Sequence, residues 1–289
     1  MTAPQTSDLV VDAHHHLWEP THGYTWLSEP AFAPIRRPFT VDDLRAAIGP
    51  AGVRRTVLVE AAREHPDEVP EQLAVAAATD EIAGVVGWID LTDRAIVDTI
   101  AAYRELPGAE KLVGLRDQVQ GRTEPGFLAR ADVRANLAAI GVAGLTYDLV
   151  VTVDQLADVA GAVEAVPGVR FVLDHLGKPR IAGDGFAEWR AAIAPLAAFG
   201  NVAVKVSGMV TEADWATWTV ADLRPYVETA VELFGPDRLM YGSDWPVCTV
   251  AASYQQVLDA LRQALPPLTE AERAAIFGGT AVRVYGLEI

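Results

Sequence analysis

The sequence predicts a single-domain (β/α)8 barrel, a TIM barrel, that spans all of residues 1–289. Eight short runs of β-branched and other apolar residues recur along the chain, and amphipathic helical repeats lie between them. Eight strands in about 290 residues is the strand count of such a barrel. A doubly wound open sheet is the alternative, but no Gly-x-Gly-x-x-Gly turn follows any of the runs, so the barrel is favoured.

Most of the eight predicted strands are nearly continuous apolar stretches, as is typical of parallel strands buried on both faces. They lie at residues 9–13, 55–60, 85–89, 112–115, 145–149, 170–174, 202–206 and 238–241. Between them, residues 223–234 and 254–265 carry apolar side chains at helical spacing, which predicts two amphipathic helices. Thr40 followed by Asp43, and Thr269 followed by Glu272, predict two capped helix starts.

Composition excludes several classes of protein. A net charge of −16, from 23 basic and 39 acidic residues, argues against nucleic-acid binding, which needs clustered lysine and arginine. No stretch reaches the ~18 apolar residues of a membrane span, and residues 1–8 lack the basic end and apolar run of a signal peptide. The single cysteine, Cys248, excludes an internal disulfide and is compatible with a reducing compartment. We therefore expect a cytoplasmic protein, and the acidic, alanine-rich composition fits a bacterial source.

Residues 19–39 form a long connection after the first strand. The segment contains several prolines together with Trp26 and Phe32. Loops that follow barrel strands cover the substrate in many enzymes, so this segment is a candidate lid loop. A surface loop without such a role is the alternative.

The first site signal is the pair His14 and His16 near the end of the first strand. Alternate side chains of a strand share a face, so Asp12, His14 and His16 are expected on one face and His15 on the other. Two imidazoles from one strand end can chelate one metal ion or hold one substrate oxygen. A fortuitous run of three histidines is the alternative, and its place within a β-run argues against it.

The second and third signals follow strands eight and six. Asp244 lies at the carboxyl end of strand eight, where barrels keep catalytic groups, and strand eight neighbours strand one in a closed barrel. A carboxylate there can bind a metal or accept a proton from water, and capping the next helix is the alternative role. His175, which follows Asp174, could complete a metal shell or polarise a carbonyl under attack.

Supporting candidates share the same rim. Arg116 follows strand four and could bind a carboxylate or carbonyl oxygen. A lysine within the apolar strand 202–206 needs a polar partner inside the barrel or water outside it. The expected substrate-binding residues are Glu60, Tyr147, Lys205, Trp245 and Trp26.

Five motifs together resemble the amidohydrolase family 2 branch of the amidohydrolase superfamily, and most closely its sugar-lactonase group. That group includes L-fuconolactone and L-rhamnonolactone hydrolases and their aromatic-lactone relatives. The motifs are DAHHHLW at 12–18, GLR at 114–116, DHLGKP at 174–179, KVSG at 205–208 and YGSDWP at 241–246. The resemblance covers nearly the whole chain, and it is specific to the branch rather than to one substrate.

The resemblance implies a ligand set and a choice of cofactor. His14 and His16 correspond to the superfamily's His-x-His pair, His175 to its later histidine, and Asp244 to its strand-eight aspartate. These four residues would hold one divalent ion, zinc first, or none, because related decarboxylases hold zinc whereas several lactonases work without a metal. Arg116 stands where two-metal relatives carry a bridging lysine, which argues against a two-metal centre.

The resemblance also implies a reaction. We expect hydrolysis of a small lactone, either of a sugar acid or of the muconate type, with Asp244 as the general base and the three histidines stabilising the oxyanion. Arg116 would hold polar groups of the substrate. The alternatives are a zinc-dependent decarboxylase of an aromatic or muconate-like acid and a catalytically silent ligand-binding barrel. The expected partner is a small molecule, and the oligomeric state is open, with a homo-oligomer as one outcome.

Overall fold

A computed structural model describes residues 9–289, and its core is one sheet of eight parallel strands in chain order from β1 to β8. Each predicted strand is present. The strands are β1 Val11–His15, β2 Arg55–Val59, β3 Ile82–Trp88, β4 Leu112–Asp117, β5 Thr146–Leu149, β6 Arg170–Leu173, β7 Val202–Val206 and β8 Leu239–Tyr241. The (β/α)8 barrel predicted from the apolar runs is therefore confirmed.

Helices occupy the intervals between the strands, and three more follow β8. They are α1 Val41–Ala51, α2 Glu68–Ala77, α3 Ile96–Arg104, α4 Ala131–Val142, α5 Leu156–Ala165, α6 Phe186–Ile193, α7 Met209–Glu212, α8 Val220–Phe234, α9 Tyr254–Ala264, α10 Glu270–Ala274 and α11 Thr280–Tyr285. The two predicted amphipathic helices are α8 and α9. Thr40 and Thr269 cap α1 and α10 through capping boxes with Asp43 and Glu272, as predicted.

The barrel closes between its first and last strands. The backbone N–H of His16 donates to the carbonyl of Trp245 at 2.7 Å, and the N–H of Asp244 donates to the carbonyl of His14 at 2.8 Å. These bonds join residues more than 220 positions apart in the chain. They bring the carboxyl ends of β1 and β8 side by side, where the sequence predicts the site.

The side chains of β1 do not alternate strictly between the two faces of the strand, as the position of Asp12 shows. Val11 and Ala13 belong to the apolar cluster inside the barrel, whereas Asp12 faces the outer layer and accepts hydrogen bonds from Ser243 and from the Tyr254 hydroxyl of α9. The register of β1 against β2 is irregular between Asp12 and His15. Because the irregularity resets the alternation, Asp12 does not share the face of His14.

The amino-terminal part of the barrel interior is filled by small and branched apolar side chains. The C-terminal helix α11 packs into the same cluster through Val284 and Tyr285. This end of the barrel is therefore a packed core, and it leaves the carboxyl end for chemistry. None of the helices within 9–289 is long and apolar enough to cross a membrane. Residues 1–8, on which the signal-peptide expectation rests, lie outside the described range.

Candidate active site

A cavity of about 380 Å³ opens at the carboxyl ends of the strands. His16, Arg116, His175 and Asp244 line it, so the barrel brings together residues from four separate strand ends. The 19–39 segment also contributes side chains to its wall, including Trp26 and Phe32. A concave site of this size, with converging polar groups and aromatic walls, suits a small ligand.

The His14 and His16 rings meet at the floor of this cavity. Their Nε2 atoms are 3.2 Å apart, and both side chains are buried. Nδ1 of His16 lies 2.9 Å from the Val59 carbonyl, which can only accept. His16 Nδ1 therefore carries the proton, and in the neutral ring the Nε2 lone pair faces the cavity.

Asp244 completes this cluster from β8. Its Oδ1 lies 3.5 Å from His16 Nε2 and 3.9 Å from both His14 Nε2 and His175 Nε2. Burial acts to raise the pKa of Asp244, but the neighbouring His175 and His16 outweigh it and lower the pKa below its usual value. Asp244 is therefore a carboxylate at neutral pH, the form that a general base requires.

His175 is fixed by the residues that follow β7. Its Nδ1 lies 2.8 Å from the Ser207 hydroxyl, and Gly208 packs against its ring so closely that an added Cβ would lie 2.6 Å from Nδ1. Burial lowers the pKa of His175 to about 4. The ring is therefore neutral at pH 7 and held in one orientation.

A buried ionic network supports the cluster from below. Arg116 Nη1 donates to Asp174 Oδ2 at 2.8 Å, and its Nε donates to the Glu60 carboxylate. Lys205 Nζ lies 2.6 Å from Asp148 Oδ2, 2.9 Å from Asp174 Oδ1 and 3.1 Å from His14 Nδ1. Each buried cation thus contacts two carboxylates, which balances the desolvation of these charges.

The substrate-binding residues expected from the sequence separate into two groups. Trp26 lines the cavity. Glu60 and Lys205 do not line it: both are fully buried and hold Arg116 and His14 in place. Both side chains therefore lie beneath the cavity rather than in its wall.

Tyr147 and Trp245 also lie away from the cavity. Asp148 faces Lys205 inside the barrel, so its strand neighbour Tyr147 points to the outer layer, where its ring packs edge-on against Phe171. Trp245 is buried and packs edge-on against Phe39. Neither position supports the expected contact with substrate.

Several residues that line the cavity were not among the candidates from the sequence. Lys178 follows His175 in the same turn, and Gln118 follows Arg116 by two positions, so the same motifs could have indicated both. Glu212 and Trp215 come from the connection after β7 and carry no local signal. Only the packing of that connection against the 19–39 segment, seen in the contact of Trp215 with Phe32, places them here.

The donor set fits a single metal ion. One atom each from His14, His16 and Asp244 lie within 4.8 Å of one another. Two ligands of a tetrahedral zinc ion, each roughly 2.0–2.1 Å from it, are roughly 3.4 Å apart, which is close to the Nε2 to Nε2 and Nε2 to Oδ1 distances of 3.2 and 3.5 Å. The lone pair of His16 Nε2 already points into this space.

Comparisons with known proteins agree with this geometry. The family model described as amidohydrolase matches residues 11–287. The chain is 37% identical over 291 residues to an L-fucono-1,5-lactonase of Burkholderia multivorans, with 96% of both chains covered. It is 31% identical over 288 residues to an L-fucono-1,5-lactonase of Burkholderia ambifaria, again with 96% of both covered.

A solved structure shows the same likeness in three dimensions. A crystal structure of an amidohydrolase from Burkholderia multivorans with bound zinc matches with a TM-score of 0.90 and 34% identity, and the match covers 97% of this chain and 100% of that one. The resemblance inferred from the five motifs is thus confirmed over nearly the full length. The chain belongs to the amidohydrolase family and is an enzyme, a hydrolase.

Proposed function

We propose that this enzyme hydrolyses a small lactone of a sugar acid. The observation that carries the proposal is the convergence of Asp244, His175 and Arg116 on one cavity at the mouth of the barrel. The similarity to two L-fucono-1,5-lactonases supports lactone chemistry. Around these residues, Gln118, Lys178 and other polar groups offer hydrogen-bond partners for several hydroxyl groups, as a sugar requires.

The residues divide the chemistry between them. Asp244 accepts a proton from water as the water oxygen bonds to the ring carbonyl carbon. Arg116 and the neutral His175 donate hydrogen bonds to the oxyanion, and Ser207 supports His175 by donating to its Nδ1. The bond from this carbon to the ring oxygen then breaks, and Asp244 returns the proton to the leaving oxygen. The product is the open hydroxy acid.

Replacing Asp244 with asparagine tests the assignment of the base. A panel of sugar and muconate lactones is screened with a pH indicator, and turnover by Asp244→Asn is then compared with wild type on the best substrate. We expect kcat to fall by about 100-fold or more, because a general base typically supplies that factor. The control is Asp259→Asn, at a half-buried position of α9 that does not line the cavity, and it should retain full activity. Retention of more than about a tenth of kcat by Asp244→Asn would exclude the role.

We further propose that His14, His16 and Asp244 hold one zinc ion, with His175 beside them. The ion would act as a Lewis acid near the ring carbonyl. The fit of the donor spacing and the zinc-bound structure of the related amidohydrolase support the proposal.

Metal analysis tests this directly. We expect about one zinc per chain in protein purified without added metal, and loss of that zinc from His14→Ala and after chelation. His22→Ala, in which an exposed histidine is removed, should keep its metal. A protein that is active on lactones yet binds no zinc would contradict the metal proposal and leave the hydrolase proposal standing.

Measurements of carbon dioxide release and of ligand binding separate the alternative functions. Release of carbon dioxide from aromatic or muconate-like acids, abolished by chelation, would replace lactone hydrolysis with decarboxylation. Ligand binding without turnover of any lactone or acid would indicate a silent barrel.

A further inference from the structure

A second cavity, of about 440 Å³, lies outside the barrel. It is lined by side chains of residues 17–24 and 38–42, by Leu58 of β2 and by one face of α2. The cavity shares no lining residue with the active site. It is therefore a separate space, and its size falls in the range of small-molecule sites.

Two buried polar side chains of α2 face this space without complete hydrogen bonding. Glu68 is 1% exposed; its Oε1 accepts from the Ala61 N–H at 2.8 Å, whereas its Oε2 has no partner among residues 9–289. Gln72 is 6% exposed, and neither atom of its amide has a partner in that range. A buried polar atom left unpaired destabilises the folded protein, so these atoms need a ligand or water.

The charges around the cavity favour a cation. Its titratable side chains are mostly carboxylic acids, namely Glu19, Asp42, Glu68 and Glu71. The described residues that line it include no lysine or arginine, and their one histidine, His22, pairs with Glu71 at 3.0 Å. Arg63, which does not line the cavity, also pairs with Glu71. His22 and Arg63 thus pair with Glu71 at the rim of the cavity, whereas Oε2 of Glu68 has no partner among residues 9–289.

The apolar walls favour a cation that carries a hydrocarbon group. Trp18, Tyr24 and Phe39 contribute aromatic rings, aliphatic side chains such as Leu58 and Val75 add to them, and most of the wall surface is apolar. Aromatic faces attract cations through the charge distribution of the ring. An inorganic ion would leave most of this apolar surface without contact.

We propose that this cavity binds a primary organic ammonium ion whose ammonium group hydrogen-bonds to Glu68 Oε2 and the Gln72 amide oxygen. The aromatic and aliphatic walls enclose its hydrocarbon part. Burial and the nearby Glu60 carboxylate raise the pKa of Glu68 to about 8, which reflects the cost of a charge without a partner there. An ammonium group supplies that partner, and its binding releases the proton that Glu68 otherwise holds at neutral pH. The active-site cavity contains Arg116 and Lys178, which attract carboxylates, whereas the acidic side chains of this cavity repel them.

Calorimetric titration with three matched probes tests the proposal on the whole protein. The probes are 2-phenylethylamine, neutral 2-phenylethanol and anionic phenylacetate, which share one hydrocarbon body. We expect the amine to bind with a Kd of about 1 mM or tighter, and the other two at least about tenfold more weakly, a difference of ~1.4 kcal/mol. Equal binding of the amine and the alcohol, or no binding of the amine, would overturn the proposal and leave water as the only partner of these groups.

Variants locate the bound amine. Glu68→Gln and Gln72→Leu should each weaken it by about tenfold or more, and Glu71→Gln should change it little because that rim carboxylate is already paired. Asp244→Asn, in the other cavity, should leave amine binding unchanged. Undiminished binding in both α2 variants, or loss in Asp244→Asn, would place the amine elsewhere and refute the assignment. If one α2 variant does not fold, the other and the three probes still decide.

Discussion

Strained backbone is concentrated at the active site. Six residues other than glycine in the described range have positive φ, and five of them line the cavity. The five are Ala62, Glu64, His175, Lys178 and Asp244. Residues with a Cβ rarely adopt this conformation, and such strain clusters where function needs a side chain in a particular place. Here it turns His175, Lys178 and Asp244 from the strand ends into the cavity.

The tight packing of Gly208 against His175 gives a prediction for a pair of glycine variants. Gly208 has a φ of +63°, and an added Cβ would lie 2.6 Å from His175 Nδ1. Gly144 has a φ of +76° with nothing within 4 Å of the added Cβ. Alanine at either position carries backbone strain of about 1–2 kcal/mol, but only Gly208→Ala must displace the ring.

We therefore expect both glycine variants to melt at lower temperature and only Gly208→Ala to lose about tenfold or more in kcat. Thermal denaturation and steady-state kinetics on the same preparations measure the two effects. Full turnover in Gly208→Ala would show that the position of His175 does not limit the reaction. Equal losses of activity in both variants would show that general destabilisation is the cause.

Among the elements of the fold, the 19–39 segment has the closest connection to specificity. It consists of three short 3₁₀ helices, Pro20–His22, Thr25–Ser28 and Pro30–Ile35. Trp26 anchors it, because the indole Nε1 donates to the Ala61 carbonyl at 2.8 Å and the ring packs edge-on against Trp18 and Phe32. One face of the segment lines the active-site cavity and another lines the second cavity, so its role as a lid is a proposal that Trp26 can test.

Replacing Trp26 with alanine should act mainly on substrate binding. The indole lines the cavity but lies outside the cluster of Asp244 and the histidines, so we expect KM to rise by about tenfold while kcat changes by less than about threefold. Trp218 is a matched control: it is also half-buried and donates to a backbone carbonyl, that of Ala251, without lining the cavity. Trp218→Ala should leave KM unchanged. A fall in kcat alone for Trp26→Ala would contradict the assignment to binding.

At the scale of the whole molecule, closure of the barrel joins the two ends of the chain into one site. Asp12 stabilises this closure through the Ser243 backbone and hydroxyl groups and the Tyr254 hydroxyl, at 2.8, 2.6 and 2.9 Å. The apolar cluster contributed by α11 lies directly below. Interactions outside the cavity therefore hold His16 and Asp244 at their observed distance.

Glu68 gives the folded protein a specific dependence on pH. Burial, together with the Glu60 carboxylate, raises the pKa of Glu68 to about 8 from the ordinary value of 4.5. Between these values the native state binds more protons than the unfolded state, so the contribution of Glu68 to the free energy of unfolding falls as pH rises from about 4.5 to about 8. Each pKa unit corresponds to about 1.4 kcal/mol.

Glu68→Gln should remove this contribution. Relative to wild type, we expect the variant to gain at least about 1.4 kcal/mol in unfolding free energy between pH 5 and pH 9. Urea denaturation across this range measures the difference, and the exposed Glu164→Gln variant is the control that should follow wild type. A constant difference between Glu68→Gln and wild type at all pH values would mean that Glu68 does not titrate in this range.

The sequence alone determined the eight βα units and the strand ends that carry His14, His16, His175 and Asp244. Both follow from short-range rules: apolar runs define buried parallel strands, and the carboxyl ends of barrel strands share one mouth. Arg116 was predicted at the cavity for the same reason, Trp26 was predicted there because it lies in the loop after the first strand, and both line it.

Only the tertiary structure decided the direction of individual side chains and the presence of the second cavity. An irregular register turned Asp12 outward, the contact of Asp148 with Lys205 set β5 so that Tyr147 faces outward, and charge pairing buried Lys205 beneath the site. The unpaired Oε2 of Glu68 lies at the second cavity, which exists only because α2 packs against the 19–39 segment. These features depend on contacts between residues distant in sequence, and local pattern carries no information about how such surfaces fit together.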